Sequence, residues 1–179
     1  MKNKILWITR TAVMMALLVT LQWATSGLGQ FVIGSCVNAV LVVAALVGGL
    51  WSGVAVALLS PFFAFLLQIG PKLIQLVPAI ALGNVVLVLL VTFLLGGKAL
   101  PWWRKILGIA ISALTKFLIL YLAVVQMIIP IMGDALKKEQ VQTFTAMFSW
   151  PQLVTALIGT TVAVLIAPAI RKAVIRGNQ

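Results

Sequence analysis

A bundle of six transmembrane helices with both termini in the cytoplasm is the fold that this sequence predicts, and three observations predict it. The first is composition. Of 179 residues, 63% are hydrophobic and 8% charged, with a mean hydropathy of +1.21, whereas a soluble domain carries about 25% charged residues. The second is length. Six apolar stretches, at 6–24, 31–50, 51–68, 73–95, 103–129 and 150–170, use up the chain, each near the roughly 20 residues that cross a bilayer. The third is placement. With the N-terminus inside, nine basic residues (Lys2, Lys4, Arg10, Lys98, Arg104, Lys105, Arg171, Lys172, Arg176) face the cytoplasm and three (Lys72, Lys137, Lys138) face outward, which is the positive-inside asymmetry. All six tryptophans (Trp7, Trp23, Trp51, Trp102, Trp103, Trp150) fall at predicted helix ends, as an interfacial aromatic belt requires. The chain reads as one domain over 1–179, embedded in a lipid bilayer, with no length left for a soluble domain.

The same inventory excludes most chemistry. The net charge of +11 belongs to the loops, and no basic patch is interleaved with aromatics, so nucleic acid is not an expected partner. A single cysteine, Cys36, excludes an internal disulfide. There is no histidine, and Asp134 and Glu139 are the only acids. No carboxylate pair, histidine metal site or Ser-His-Asp set can be assembled. The expectation is therefore no catalytic residue, no metal and no cofactor. Gly96-Gly97-Lys98-Ala99 is not a phosphate loop, because Thr92 stands where the upstream glycine belongs and Ala99 follows the lysine. The N-terminus imitates a signal peptide, but Arg10 interrupts the charged-to-apolar order.

Helix 1 carries a small residue at every fourth position: Ala12, Ala16, Thr20 and Ala24. Residues four apart share a helical face, and in lipid such a strip lets another helix approach closely. The helix ends at an amphipathic pair, Gln22-Trp23, followed by a flexible Gly/Ser/Gln stretch, 25–30. Helix 2 carries Ser35, Cys36 and Asn38 near its start. Its uncharged link to helix 3 repeats the small-residue spacing (Ala45, Gly49, Gly53), which predicts a tight hairpin. Pro61 sits inside helix 3 and predicts a kink with a freed carbonyl. Gly70-Pro71-Lys72 is a turn, and helix 4 has Pro78 in its first turns and Asn84 mid-way. After the basic loop 96–105 comes helix 5. The segment 130–149 is the longest polar stretch, and its apolar residues Leu136, Val141, Phe144, Met147 and Phe148 predict a short helix lying on the membrane face. Ser149-Trp150-Pro151 predicts the start of helix 6, with Ser149 as its cap.

On this topology the amides are lopsided. Gln22, Gln30, Asn38, Gln68, Gln75, Gln126 and Gln152 lie in the outer half and Asn84 near the middle, while the inner half is almost bare of them. Buried amides need partners. Amides on several helices at one depth point to a ligand site open to the outside. Lys116, about 12 residues into helix 5 with Ser112 one turn before it, is the sharpest single residue, since a lysine at mid-membrane costs about 2.5–3.5 kcal/mol. Two readings stand: a contact to a substrate carbonyl or carboxylate, or snorkelling and bonding to carbonyls freed by Pro61 or Pro78. The candidate ligand contacts are Gln22, Trp23, Asn38, Gln68, Lys72, Asn84, Lys116 and Gln152.

Six short helices, Arg10-Thr-Ala-Val-Met-Met-Ala16 in the first of them, and a polar outer half together resemble the substrate-binding S component of an energy-coupling factor (ECF) transporter. The stretches Val37-Asn-Ala-Val-Leu41, Leu59-Ser-Pro61 and Val77-Pro-Ala-Ile-Ala-Leu-Gly-Asn84 are similar to S components without a settled substrate. The resemblance implies a prokaryotic plasma-membrane subunit that captures a vitamin or related micronutrient from outside. It implies gating by the loops after helices 1 and 3, and docking through Ala12 and Ala16 on a transmembrane T component driven by two cytoplasmic ATPases. The chain departs from the family's thiamine and riboflavin binders, and its outer loops lack the acidic and aromatic clusters suited to a cationic thiamine. Lys72 and Lys116 lean toward an acidic or carbonyl-rich ligand such as pantothenate, with a corrinoid or queuosine-type precursor as further options. Two other classes compete: a stand-alone carrier or channel, though the halves show no repeat, and a membrane-embedded enzyme or assembly factor, though acids and histidines are scarce.

Overall fold

Surrounded by lipid, a backbone can satisfy its own hydrogen bonds only as a helix or a closed barrel, and the apolar runs of this chain lack the two-residue alternation of strands. The computed structural model describes residues 2–97 and 100–176, and every regular element among them is helical. Lys98 of the basic loop lies outside the described residues, as do the side chains of Lys2, Asp134 and Arg176.

The helices are α1 (Lys2–Ala24), α2 (Gln30–Gly48), α3 (Leu50–Leu66), α4 (Leu76–Leu95), α5 (Trp102–Leu120), the one-turn α6 (Ile129–Met132), α7 (Lys138–Met147) and α8 (Trp150–Arg176). Five stretches are long and apolar enough to cross a membrane: Lys4–Ala24, Gln30–Gly48, Leu76–Leu95, Trp102–Met132 and Lys138–Val174, the last including α7. The sixth expected span, α3, has 17 residues, the short end of the crossing range of about 17–25. All six tryptophans are exposed on the bundle surface. So are Phe93 and Ile131, at no hydrophobic cost where the solvent is acyl chain.

Boundaries depart from the sequence reading where local chemistry intervenes. Helix 1 begins at Lys2 rather than at residue 6, and helix 4 begins at Leu76 rather than at 73, with Pro78 in its first turn where no N–H is needed. Helix 5 is not uniform: α5 passes into a π-helical stretch, Tyr121–Ile128, before α6. Pro130 follows it, and its missing N–H leaves no donor for the carbonyl one α-turn back. Ser149 does not cap α8. Its hydroxyl turns back to the carbonyl of Thr145, at 2.5 Å, and fastens α7 to α8 instead.

The α2–α3 link is a single residue, Gly49, at φ 94°, a conformation open to glycine and strained for other residues. It reverses the chain, so α2 and α3 pack as the expected hairpin. Four helices, α2, α4, α5 and α8, close a ring through contacts of neighbour with neighbour, while α1 and α3 pack on α2 and on each other. The hydroxyls of Thr11 and Ser52, 2.9 Å apart, pin α1 to α3. One end of the ring is filled by an apolar core that includes Val43, Leu46, Leu87, Val91, Leu95 and Ala163. There the Arg171 guanidinium donates Nε–H (2.7 Å) and an Nη2–H to the carbonyl of Leu46, a C-terminal carbonyl of α2 with no partner in its own helix.

α1 is the least buried of the five long spans. Leu18 and Gln22 turn inward, whereas Ala12, Ala16, Thr20 and Ala24 are all exposed along one outer face.

Candidate functional site

At the other end of the ring, packing gives way to a cavity of about 660 Å³, within the range of about 300–1,000 Å³ typical of small-molecule sites. Its floor follows from helix arithmetic. Asn38 and Asn84 each stand eight residues into a helix that starts at the cavity end, hence about 12 Å deep at 1.5 Å per residue. α5 runs the opposite way and brings Lys116 to the same level. The Lys116 Nζ donates to Asn38 Oδ1 (2.5 Å) and to Asn84 Oδ1 (2.7 Å). Lys116 is 3% exposed, Asn38 1% and Asn84 2%. Three ring helices are thus joined at one ammonium group. The fourth adds Thr155, whose Oγ1 lies 3.5 Å from Asn38 Nδ2.

Neither sequence reading of Lys116 named this arrangement. Its Nζ is buried and does not reach a proline-freed carbonyl; two side-chain amide oxygens accept its hydrogen bonds. The geometry of the asparagines depends on α2 and α8 touching. A Cβ on Gly159 of α8 would stand 2.5 Å from the Ser35 carbonyl oxygen and 2.6 Å from Asn38 Cβ, closer than any real side chain sits.

The walls are mostly apolar, with Pro61, Ala64, Val77, Ile80 and Leu120 among them. Gln22 and Gln152, both 8% exposed, and Ser60, 1% exposed, add polar atoms. Gln152 Nε2 donates to the Met147 carbonyl (3.0 Å). Gln22 Oε1 and Ser60 Oγ are buried without a partner among the described residues. Among the described residues no aspartate or glutamate lines the cavity, and no cluster of three metal-ligating side chains occurs.

Seven of the eight candidate contacts line this one cavity: Gln22, Asn38, Gln68, Lys72, Asn84, Lys116 and Gln152, with Gln68 and Lys72 exposed at its wall. Trp23 does not. It is 70% exposed, one residue past Gln22 and so about 100° round α1, facing the surroundings. Gln75 and Gln126 also lie outside the cavity, exposed, with Gln126 donating to the Tyr121 hydroxyl (2.9 Å).

The sequence reading missed the roof. The segment 130–149 forms the expected short helix, α7. α7 covers the cavity, with Gln140, Thr143, Phe144 and Met147 facing it and Phe148 just beyond. Phe144 and Phe148 are buried in a cluster with Leu76, Leu120, Val124 and Ile129, which anchors α7 to α4 and α5. A signal was present, because 140, 143, 144 and 147 follow the i, i+3, i+4, i+7 spacing of one helical face.

The fold is that of a multi-pass helical membrane protein, and its cavity, floored by one lysine and two amides, has the size of a small-solute site. The chain belongs to the ECF transporter substrate-specific component family, whose model matches residues 7–171. It is therefore a substrate-binding transport subunit of the cell membrane. No curated protein and no solved structure matches the chain.

Proposed function

We propose that this subunit captures a vitamin or related micronutrient in the cavity beneath α7 and delivers it through a partner T component energised by two cytoplasmic ATPases. In this reading 1–179 is one transmembrane domain of six spans with both ends cytoplasmic, and the cavity opens outward. Asn38, Asn84, Lys116, Gln22 and Gln152 hold the ligand, and Gln68 and Lys72 meet it at the wall. The observation that carries the reading is the floor, where Lys116 is fully lodged among neutral amides beneath an open volume. Placing a lysine there is expensive, and a merely structural polar contact needs no cavity above it.

Partner docking falls to the small-residue strip. Ala12 and Ala16 are exposed while the opposite face of α1 is packed, so two helices can approach closely there without rearranging the bundle.

Co-purification in mild detergent tests both halves. The expected result is a complex with one further membrane subunit and two ATPase chains, and a small molecule retained by the binding subunit. A chain that purifies alone and empty, and that no micronutrient stabilises, contradicts the proposal.

A further inference from the structure

We propose that the groove between α1 and α3, at the end of the bundle away from the cavity, binds one anionic phospholipid. Its acyl chain lies along α3 and its phosphate meets Lys4 and Arg10. The inference is independent of what the cavity holds. A step in the bundle surface and a pair of cations beside it carry the argument.

The step comes from unequal helix lengths. Short links at either end of α2 make α1 and α3 run the same way, and the Thr11–Ser52 hydrogen bond sets their register. Beyond that bond α1 continues back to Lys2, whereas α3 stops at Leu50, so α1 overhangs by about 10 Å at 1.5 Å per residue. With 17 residues, α3 is about 25 Å long against a hydrocarbon core of about 30 Å. Beside the overhang runs an open groove of about 530 Å³, lined by Trp7 of α1 and by Trp51, Val54, Ala55 and Leu58 of α3. The four α3 residues follow the i, i+3, i+4, i+7 spacing of a single stripe, a track for an extended acyl chain. The two indoles mark its mouth, and indoles settle at headgroup depth with the ring in hydrocarbon and the N–H toward polar groups.

The cations choose the headgroup. Lys4 and Arg10 stand three residues before and after Trp7, so they flank it on one side of α1. Lys4 is exposed and Arg10 half-buried. The chain's two acidic residues, Asp134 and Glu139, both belong to the segment at the cavity end, a membrane's thickness away. The complement to this pair is therefore an anion brought by the bilayer. Each basic residue close to an anionic lipid surface strengthens the attraction about fivefold, and a zwitterionic headgroup offsets its phosphate with its own cation.

A helix from a partner protein fits the groove less well. Membrane helices approach closely over small residues, and here two indoles stand at the mouth. Ala12 and Ala16 lie about 140° and 180° round α1 from Trp7 at 100° per residue, so a partner docked on that strip leaves the groove open to lipid.

The test is native mass spectrometry of the full chain in mild detergent, stripped of lipid and titrated with phosphatidylglycerol or with phosphatidylcholine of the same acyl chains. The expected result is one phosphatidylglycerol held at least tenfold more tightly than phosphatidylcholine and not displaced by free glycerol phosphate. The double substitution Lys4→Gln, Arg10→Gln should reduce that preference at least fivefold, while the charge-matched control Lys137→Gln, Lys138→Gln should leave it unchanged. Ala55→Phe, which fills the groove, should lose the retained lipid. In liposomes, a phosphatidylglycerol bearing a diazirine on its acyl chain should label the segment 51–58 of the unmodified chain, and this decides the matter even if a variant misfolds. Equal retention of the two lipids overturns the proposal, as does a preference that survives the loss of Lys4 and Arg10, or labelling that spares 51–58. Displacement by glycerol phosphate would leave only an anion site. An Ala55→Phe chain that keeps its lipid and loses a membrane partner would give the groove to a protein; either result overturns the lipid assignment.

Discussion

The Lys116 ammonium of α5 donates to the side-chain oxygen of Asn84 on α4 at 2.7 Å, with both residues buried. The contact joins two helices at the depth where the cavity begins. A hydrogen bond to a charged group contributes about 1.5–3 kcal/mol. Asn84→Leu is therefore expected to destabilise the bundle by about 2 kcal/mol, read from reversible unfolding in mixed detergent micelles. Asn84→Asp separates stability from function. Its carboxylate accepts from Lys116 Nζ in place of the amide oxygen, so the bundle should stay at least as stable while retention of the captured molecule, followed by native mass spectrometry, falls at least tenfold.

Gly159 sets the distance between α2 and α8. Because an added Cβ would meet the Ser35 carbonyl at 2.5 Å and the Cβ of Asn38 at 2.6 Å, the helices must separate. Over-packing of this kind costs about 1–3 kcal/mol. Gly159→Ala is expected to lower the melting temperature and to weaken ligand retention by displacing Asn38. Gly27→Ala is the control, since nothing lies within 4 Å of its added Cβ, and its melting temperature should match that of the unmodified chain.

The outer face of α1 should behave in the opposite way. Ala12 and Ala16 are exposed, so a double Ala12→Trp, Ala16→Trp chain loses no internal packing. Surface changes of this sort stay within about 0.5 kcal/mol. Melting temperature and retained small molecule should be unchanged, while pull-down of the T component and the ATPases should fail. Loss of folding along with the partners would place the strip inside the bundle.

Arg171 closes the far end of α2 by donating to the Leu46 carbonyl. A cation at a helix C-terminus contributes about 0.3–1 kcal/mol, and more when partly buried. Arg171→Gln is expected to cost about 1 kcal/mol in the same unfolding measurement. Arg171→Lys should recover only part of it, because an ammonium cannot reproduce a two-pronged donor.

Much of the fold was legible because lipid imposes it. The apolar run lengths, the tryptophans at helix ends and the basic loops all record a bilayer, and each can be read one residue at a time. The candidate site was legible in its residue types. Asn38, Asn84, Lys116, Gln22 and Gln152 stood out because buried amides and a buried lysine are expensive. Trp23 was misplaced because adjacency in sequence is not adjacency on a helix. Helix 5 was drawn too uniformly, because its π-helical turn is a matter of hydrogen-bond pairing that hydropathy does not record.

By itself, then, the sequence determined that this chain crosses a membrane many times and which of its few polar residues were candidates for a site. Only the tertiary structure decided who meets whom. Asn38, Asn84 and Lys116 are up to 78 residues apart in the chain, and their meeting depends on the ring of α2, α4, α5 and α8 and on the missing side chain of Gly159. The structure also makes α7 the roof of the cavity, because Phe144 and Phe148 are buried in a cluster with Leu76, Leu120 and Val124. Periodicity gives the face a helix presents; only close packing in three dimensions selects the surface it presents that face to.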